Sequence, residues 1–249
     1  MQLSPSLAMI GSLQFALSGP MDCHVYALKC PDGIVLVDSG AGTHTEILLA
    51  NIHSAFGDTK VAALIVTHGH LDHCGGAAAL KEKTGCRVIA SEWSCSILET
   101  GDEEASGLRV ARLQGTYPPE ARMVPCAVDT VVHDGASFEA GGQLFTALHV
   151  RGHSQDSCCY LTNVDGRTSM FAGDVVFYGG ILGVINVDGS GMEGYRADLS
   201  KLNGLGVEGF FPGHGIFTLH GGQRHIDKAI EQMANGFMPR QIGQGDAIF

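Results

Sequence analysis

Thr67-His68-Gly69-His70-Leu71-Asp72-His73 sets three histidines and one carboxylate within six residues. Imidazole nitrogens and carboxylate oxygens are ligands that zinc, iron and manganese all accept. On a loop leaving a strand, His68 and His70 can turn toward one point, and Asp72 and His73 toward a second. A polar loop of satisfied histidines is the alternative, and packing alone gives no reason for such a density. Three more stretches repeat the pattern of a ligand-capable residue just past an apolar run. They are Gly152-His153-Ser154, Gly173-Asp174 and Gly213-His214-Gly215. Each is a weak signal alone, although the flanking glycines would let the backbone turn sharply and a metal or substrate approach closely. Four such sites in order form a strong signal for metal chemistry.

The apolar runs before these residues must be the elements that position them. Val61–Val66 precedes the histidine loop and Leu144–Val150 precedes His153. Short continuous apolar runs of this kind read as strands buried on both faces. Ile34-Val35-Leu36-Val37 is another, ending in the glycine-rich Asp38–Gly42. Further strands are expected over 7–17, 23–29 and 88–90. A run of short strands with tight turns follows at 128–132, 136–139, 143–150, 157–162 and 168–172. Helices are expected over 45–56, over 75–84 with Gly85 as cap, over 195–205 and from Gly222 to Asn235. Residues 92–125 read as helix and loop, an inserted flap, and 179–194 as a long glycine-rich loop. Val35–Gly40 and Met170–Asp174 echo one another as apolar strands ending in aspartate, so two similar halves, about 1–125 and 126–249, would bring Asp38 and Asp174 to one rim. Ligands gather at such strand ends.

Bulk composition agrees with one domain over 1–249. Hydrophobic residues make up 45% and charged residues 16%, enough for a sizeable core and against disorder. The formal charge of −11, with no clustered Lys or Arg, argues against a nucleic-acid partner. No run of about 18 apolar residues occurs, so no membrane span is expected. The eight cysteines include no Cys-x-x-Cys pair and read as free buried thiols. The N-terminus lacks the pattern of a signal peptide, so a mature, cytoplasmic protein is expected. A small-molecule substrate is the expected partner, and the oligomeric state is open, a homodimer included.

With these motifs the chain resembles the metallo-β-lactamase-fold hydrolase superfamily across roughly residues 23–220, Leu36-Val37-Asp38-Ser39-Gly40 included. The resemblance implies an α+β (or α/β) four-layer αββα sandwich with metals at one edge of two sheets. Carried over position by position, His68, His70 and His153 would hold one divalent ion and Asp72, His73 and His214 a second. Asp174 would bridge the two, and Asp38 would orient the ligand loop from behind. The ions would be zinc first, with iron or manganese as alternatives. The implied reaction is cleavage of a small ester, lactone or thioester by a metal-bound hydroxide, with Asp72 also steering a proton to the leaving group.

Departures from other branches narrow this. An aspartate at 174 resembles the ester, thioester and lactone hydrolases and disfavours β-lactam or amide cleavage. His70 stands where flavodiiron proteins carry glutamate. Phe211–Gly215 fits glyoxalase-II-like thioesterases, yet only 35 residues follow His214, too few for their C-terminal glutathione-binding domain. A mononuclear iron persulfide-dioxygenase-like oxidoreductase of the same fold is the alternative. Lactonases of the fold use a tyrosine soon after the bridging aspartate. Tyr178 is the candidate here, either donating a hydrogen bond to a substrate carbonyl or simply packing. Trp93, Tyr117, Tyr195 and Arg196 are candidate pocket residues.

Overall fold

The computed structural model describes residues 1–236 and 238–242, so the last stretch of the expected domain, 243–249, lies outside the described residues. The first sheet is laid down in chain order. Its strands are β1 (Leu7–Gly11), β2 (Val25–Cys30), β3 (Gly33–Val37), β4 (Val61–Ile65), β5 (Arg87–Ser91) and β6 (Thr130–Val132). The pairs β1/β2 and β2/β3 are antiparallel, and β3 through β6 run parallel. Parallel neighbours need a crossover. It is supplied by α1 (Thr45–Phe56), then α2 (Leu71–Cys74) with α3 (Ala77–Thr84), then α4 (Glu92–Thr100) with α5 (Leu108–Leu113). The second sheet contains β7 (Ser137–Ala140), β8 (Gln143–His149), β9 (Cys158–Val164) and β10 (Arg167–Gly173). A small hairpin follows, β11 (Val176–Phe177) and β12 (Ile181–Leu182), and then α6 (Met192–Asp198), which tightens into a 3-10 turn over Leu199–Leu202. The chain returns as β13 (Gly209–Pro212), parallel to β10, and α7 (Gln223–Ala234) closes it.

Period-two alternation sorts these strands into three apolar layers. In β3, Ile34 and Leu36 face outward onto Leu48 and Ile52 of α1 and Leu80 of α3. Val35 and Val37 face inward, where they share a core with Phe145, Tyr160, Phe171 and Phe211 of the second sheet. On the far side, Met170, Ala172 and Phe210 pack beneath Tyr195, Leu199, Ile226 and Ala229. Helix, sheet, sheet, helix is therefore the layer order, the αββα sandwich expected from the motifs. Two buried tyrosines span the middle layer. Tyr26 of β2 donates to the Pro212 carbonyl at 2.7 Å, and Tyr160 of β9 donates to the Val66 carbonyl at 2.9 Å.

Several boundaries differ from the sequence reading. The strand expected over 7–17 stops at Gly11, because Ser12 starts a turn. Its hydroxyl accepts from the Phe15 N–H at 3.1 Å, and its own N–H donates to Ser18 Oγ at 3.0 Å. The division between halves falls after β6, not near 125, since Thr130–Val132 pairs with β5. The stretch 179–194 is not one loop: β12 and the start of α6 lie within it. All eight cysteines are free, seven of them buried and Cys95 half-buried. No described helix is long and apolar enough to cross a membrane.

Candidate metal centre

Every motif residue lies where a strand ends at one rim. Asp38 follows β3, the histidine loop follows β4, His153 follows β8, Asp174 follows β10 and His214 follows β13. The first sheet thus contributes His68, His70, Asp72 and His73, and the second brings His153, Asp174 and His214 against them. Nitrogens of His68, His70 and His153 fall within 4.8 Å of one another, as do ligand atoms of Asp72, His73 and His214. His70 Nδ1 lies 3.0 Å from His68 Nε2 and 2.9 Å from His153 Nε2. His153 donates its Nδ1–H to the Gly183 carbonyl at 2.5 Å, so its Nε2 presents a lone pair. Three nitrogens meet there. In the other group, Asp72 Oδ2 lies 3.0 Å from His214 Nε2 and 3.4 Å from His73 Nε2. Asp174 stands between the groups, with Oδ2 3.6 Å from His153 Nε2 and 3.5 Å from His214 Nε2. Gly213 makes that approach feasible, since a Cβ there would run into Asp174 Oδ1 and the His73 ring.

Three of the imidazoles are held neutral, as cation ligands must be. Burial holds His68, His70 and His153 below the ordinary imidazole range, His153 at about 4, so these rings are neutral. Burial alone would raise Asp72 and Asp174, but neighbouring imidazoles, chiefly His73 for Asp72 and His214 for Asp174, outweigh it and keep both ionised. Burial likewise opposes a proton on His73. The Cys23 thiol and the carboxylates of Asp72, Asp174 and Asp38 overcome it and hold His73 well above its usual range. Three carboxylates, those of Asp38, Asp72 and Asp174, thus converge on the His73 ring. His73 Nε2 and Asp174 Oδ1 are both buried without a hydrogen-bond partner. Such orphaned atoms are costly unless something else satisfies them. A neutral nitrogen trio, ionised carboxylates and two orphaned donor atoms fit divalent cations.

Behind these groups a second set of bonds fixes their aim. Asp38 accepts from His73 Nδ1 at 2.8 Å and from the Thr67 N–H and hydroxyl, each at 2.8 Å. It does so with a φ of +63°, in the left-handed region that aspartate tolerates better than most residues. Asp156 gave no signal in the sequence reading. Its Oδ2 accepts from the Gly69 N–H at 2.7 Å and from Ser94 Oγ at 2.9 Å, and its Oδ1 from Ser154 Oγ at 2.7 Å. It ties the histidine loop of one sheet to the His153 turn of the other. Only its place two residues past Ser154 could have drawn attention to it. Asp156→Asn is expected to cost about 1.5–3 kcal/mol, the value of a hydrogen bond to a charged acceptor. Thermal denaturation should show Tm lower by several degrees; an unchanged Tm would deny the residue this role.

Residues 18–214 match the sequence profile of the metallo-beta-lactamase superfamily. The chain belongs to that superfamily. A likeness in structure to a subclass B3 metallo-beta-lactamase of Bradyrhizobium japonicum covers 94% of this chain and 90% of that one. It has a TM-score of 0.70 at 20% identity, and extends to the fold alone. Among curated proteins, the chain is 27% identical over 199 residues to an atrochrysone carboxyl ACP thioesterase of Aspergillus fumigatus, covering 80% of this chain and 52% of that protein. It is 30% identical over 145 residues to a hydroxyacylglutathione hydrolase of Pseudomonas aeruginosa, covering 58% of this chain and 43% of that protein. The chain thus spans about half the length of these named relatives or less.

In this superfamily member a cavity of about 590 Å³ opens directly over His70, Asp72, His153, Asp174 and His214. Tyr117 lines it and donates to Asp72 Oδ1 at 2.8 Å, so the 92–125 segment reaches the metal groups themselves. The other four candidate pocket or catalytic residues lie elsewhere. Trp93 stacks on His149 with ring centroids 3.5 Å apart. Phe177, the last residue of β11, lines the cavity, and the next residue, Tyr178, in the turn that follows, packs on His225 outside it. Tyr195 is buried behind the site, donating to the Val175 carbonyl at 2.8 Å and accepting from the Gly183 N–H at 3.0 Å. Arg196 is exposed on α6. His24 is buried beside His214, with Nε2 3.0 Å from the Gly215 carbonyl.

Proposed function

We propose that the chain is a dinuclear metal-dependent hydrolase of a small ester, lactone or thioester. The observation that carries this reading is the Asp174 carboxylate, set between two clusters of imidazole nitrogens with one oxygen unpartnered. His68, His70 and His153 would hold one ion, Asp72, His73 and His214 the other, and Asp174 would be shared. Divalent ions there, zinc foremost, supply Lewis acidity for an acyl oxygen and lower the pKa of water from ~15.7 to about 7. The chain's own residues do the rest. Asp38 and the Gly183 carbonyl fix the tautomers of His73 and His153, so each presents Nε2 forward. Tyr117 holds Asp72 Oδ1, leaving Oδ2 toward His73 and His214. The hydrolytic activities named for the two curated relatives support the reaction class.

Metal quantification combined with a panel of lactones, thioesters and carboxylic and phosphate esters tests the proposal. About two divalent ions per chain, with hydrolysis lost to chelator and restored by Zn²⁺, are expected. About one iron per chain with oxygen consumption would instead support the oxidoreductase alternative and overturn this reading. Tyr117→Phe removes one hydrogen bond to a charged acceptor and should lower kcat roughly tenfold with metal content unchanged. A wild-type kcat in this variant would remove Tyr117 from the machinery.

A further inference from the structure

The cavity above the metal groups divides sharply by chemistry. Its floor carries the ionisable side chains, His70, Asp72, His153, Asp174 and His214, with Tyr117 beside them. Its walls are apolar. Leu108 and Ala111, three apart on α5, share the face turned to the cavity, and Phe177, Ile185 and Val187 stand opposite. The remaining polar wall residues, such as Gln114 and Asn186, are uncharged. The two walls are joined where Gln114 Nε2 donates to the Asn186 carbonyl at 3.4 Å. Among the described residues no Lys or Arg lines the cavity. The arginines of α5 are engaged with carboxylates, Arg109 with Glu104 and Arg112 with Glu103. The sequence at 237 and 243–249 contains no Lys or Arg either.

A carboxylate or phosphate at the far end of a chain held between these walls would give up its hydration and meet no Lys or Arg there. An alkyl chain would gain on both counts, and cavities of this size enclose most of a small ligand's surface. We propose that this cavity takes the uncharged, apolar acyl group of the substrate, and that acyl groups ending in an anionic group are excluded. This deepens the hydrolase reading and rests on it for the word substrate. The occupant's chemistry rests on the wall residues alone.

Calorimetric titration of the metal-replete protein with methyl ketones separates the two, because ketones are not hydrolysed. With alkyl chains from propyl to octyl, affinity should rise about fourfold for each methylene buried. Ketones of the same length ending in a carboxylate should bind at least about tenfold more weakly, since the charge is desolvated without a partner. Ala111→Lys, on a half-buried helix face, should reverse that preference while leaving metal content unchanged. Affinity independent of chain length, or equal affinity for neutral and carboxylated ketones in the unaltered protein, would overturn the inference. Failure to hydrolyse any ester would sink the hydrolase reading and leave the ketone result standing.

Discussion

Asp174→Ala removes the carboxylate that both nitrogen clusters share, and hydrolysis is expected to fall on the order of a thousandfold or more. A catalytic metal is worth several kcal/mol in the transition state, and each 1.36 kcal/mol is a factor of ten in rate. Asp174 Oδ2 lies within 3.6 Å of both His153 and His214, and among the described residues no other carboxylate is recorded within 4 Å of both. The loss should be visible without an assay, as metal content per chain measured after dialysis. A variant retaining full metal and near wild-type turnover would disprove the shared-carboxylate reading. The substitution also leaves His73 with one carboxylate fewer around its buried ring, so thermal stability should be recorded with the metal content.

Asp38→Asn is the sharper probe, because it changes charge while keeping shape. Asparagine tolerates the left-handed backbone at φ +63° and can still accept from the Thr67 N–H. It no longer offers His73 Nδ1 a carboxylate. Loss of an outer partner of this kind costs 10–100-fold in metal affinity or activity, as order of magnitude. Competition with a chromogenic chelator should therefore give weaker retention of one ion, with the His68, His70 and His153 group less affected. Equal retention of both ions would show that Asp38 supports only the backbone of the loop.

The motif residues were legible because their signal is local. A histidine or aspartate just past an apolar run is visible in the sequence, and strand alternation does the rest of the placing. His68, His70, Asp72, His73, His153, Asp174 and His214 come together at one rim for that reason. Residues whose position depends on a partner far along the chain were not legible in the same way. Trp93 was free to face a pocket until His149, on the other sheet, offered a flat ring to stack on. Tyr178 and Phe177 differ by one residue, and the two-residue strand that decides which points inward is too short to show a pattern. Asp156 acts through Gly69, Ser94 and Ser154, a set no spacing rule connects. Tyr117 was expected near substrate, and its bond to Asp72 follows only once α4 and α5 fold back over the rim.

The tyrosines that cross the middle layer bear on how such a protein can change. Tyr26 grips the carbonyl of Pro212, two residues before His214, and Tyr160 grips that of Val66, two before His68. Each sheet thus holds the other's strand end at the root of a ligand-bearing turn. The spacing of those turns is set from below, by buried bonds that no surface loop touches. Outside Tyr117 and Gly183, which bond to Asp72 and His153, the flap and the 176–187 segment can then be rewritten in sequence at little cost to the chemistry beneath them, which separates the inheritance of reactivity from that of selectivity.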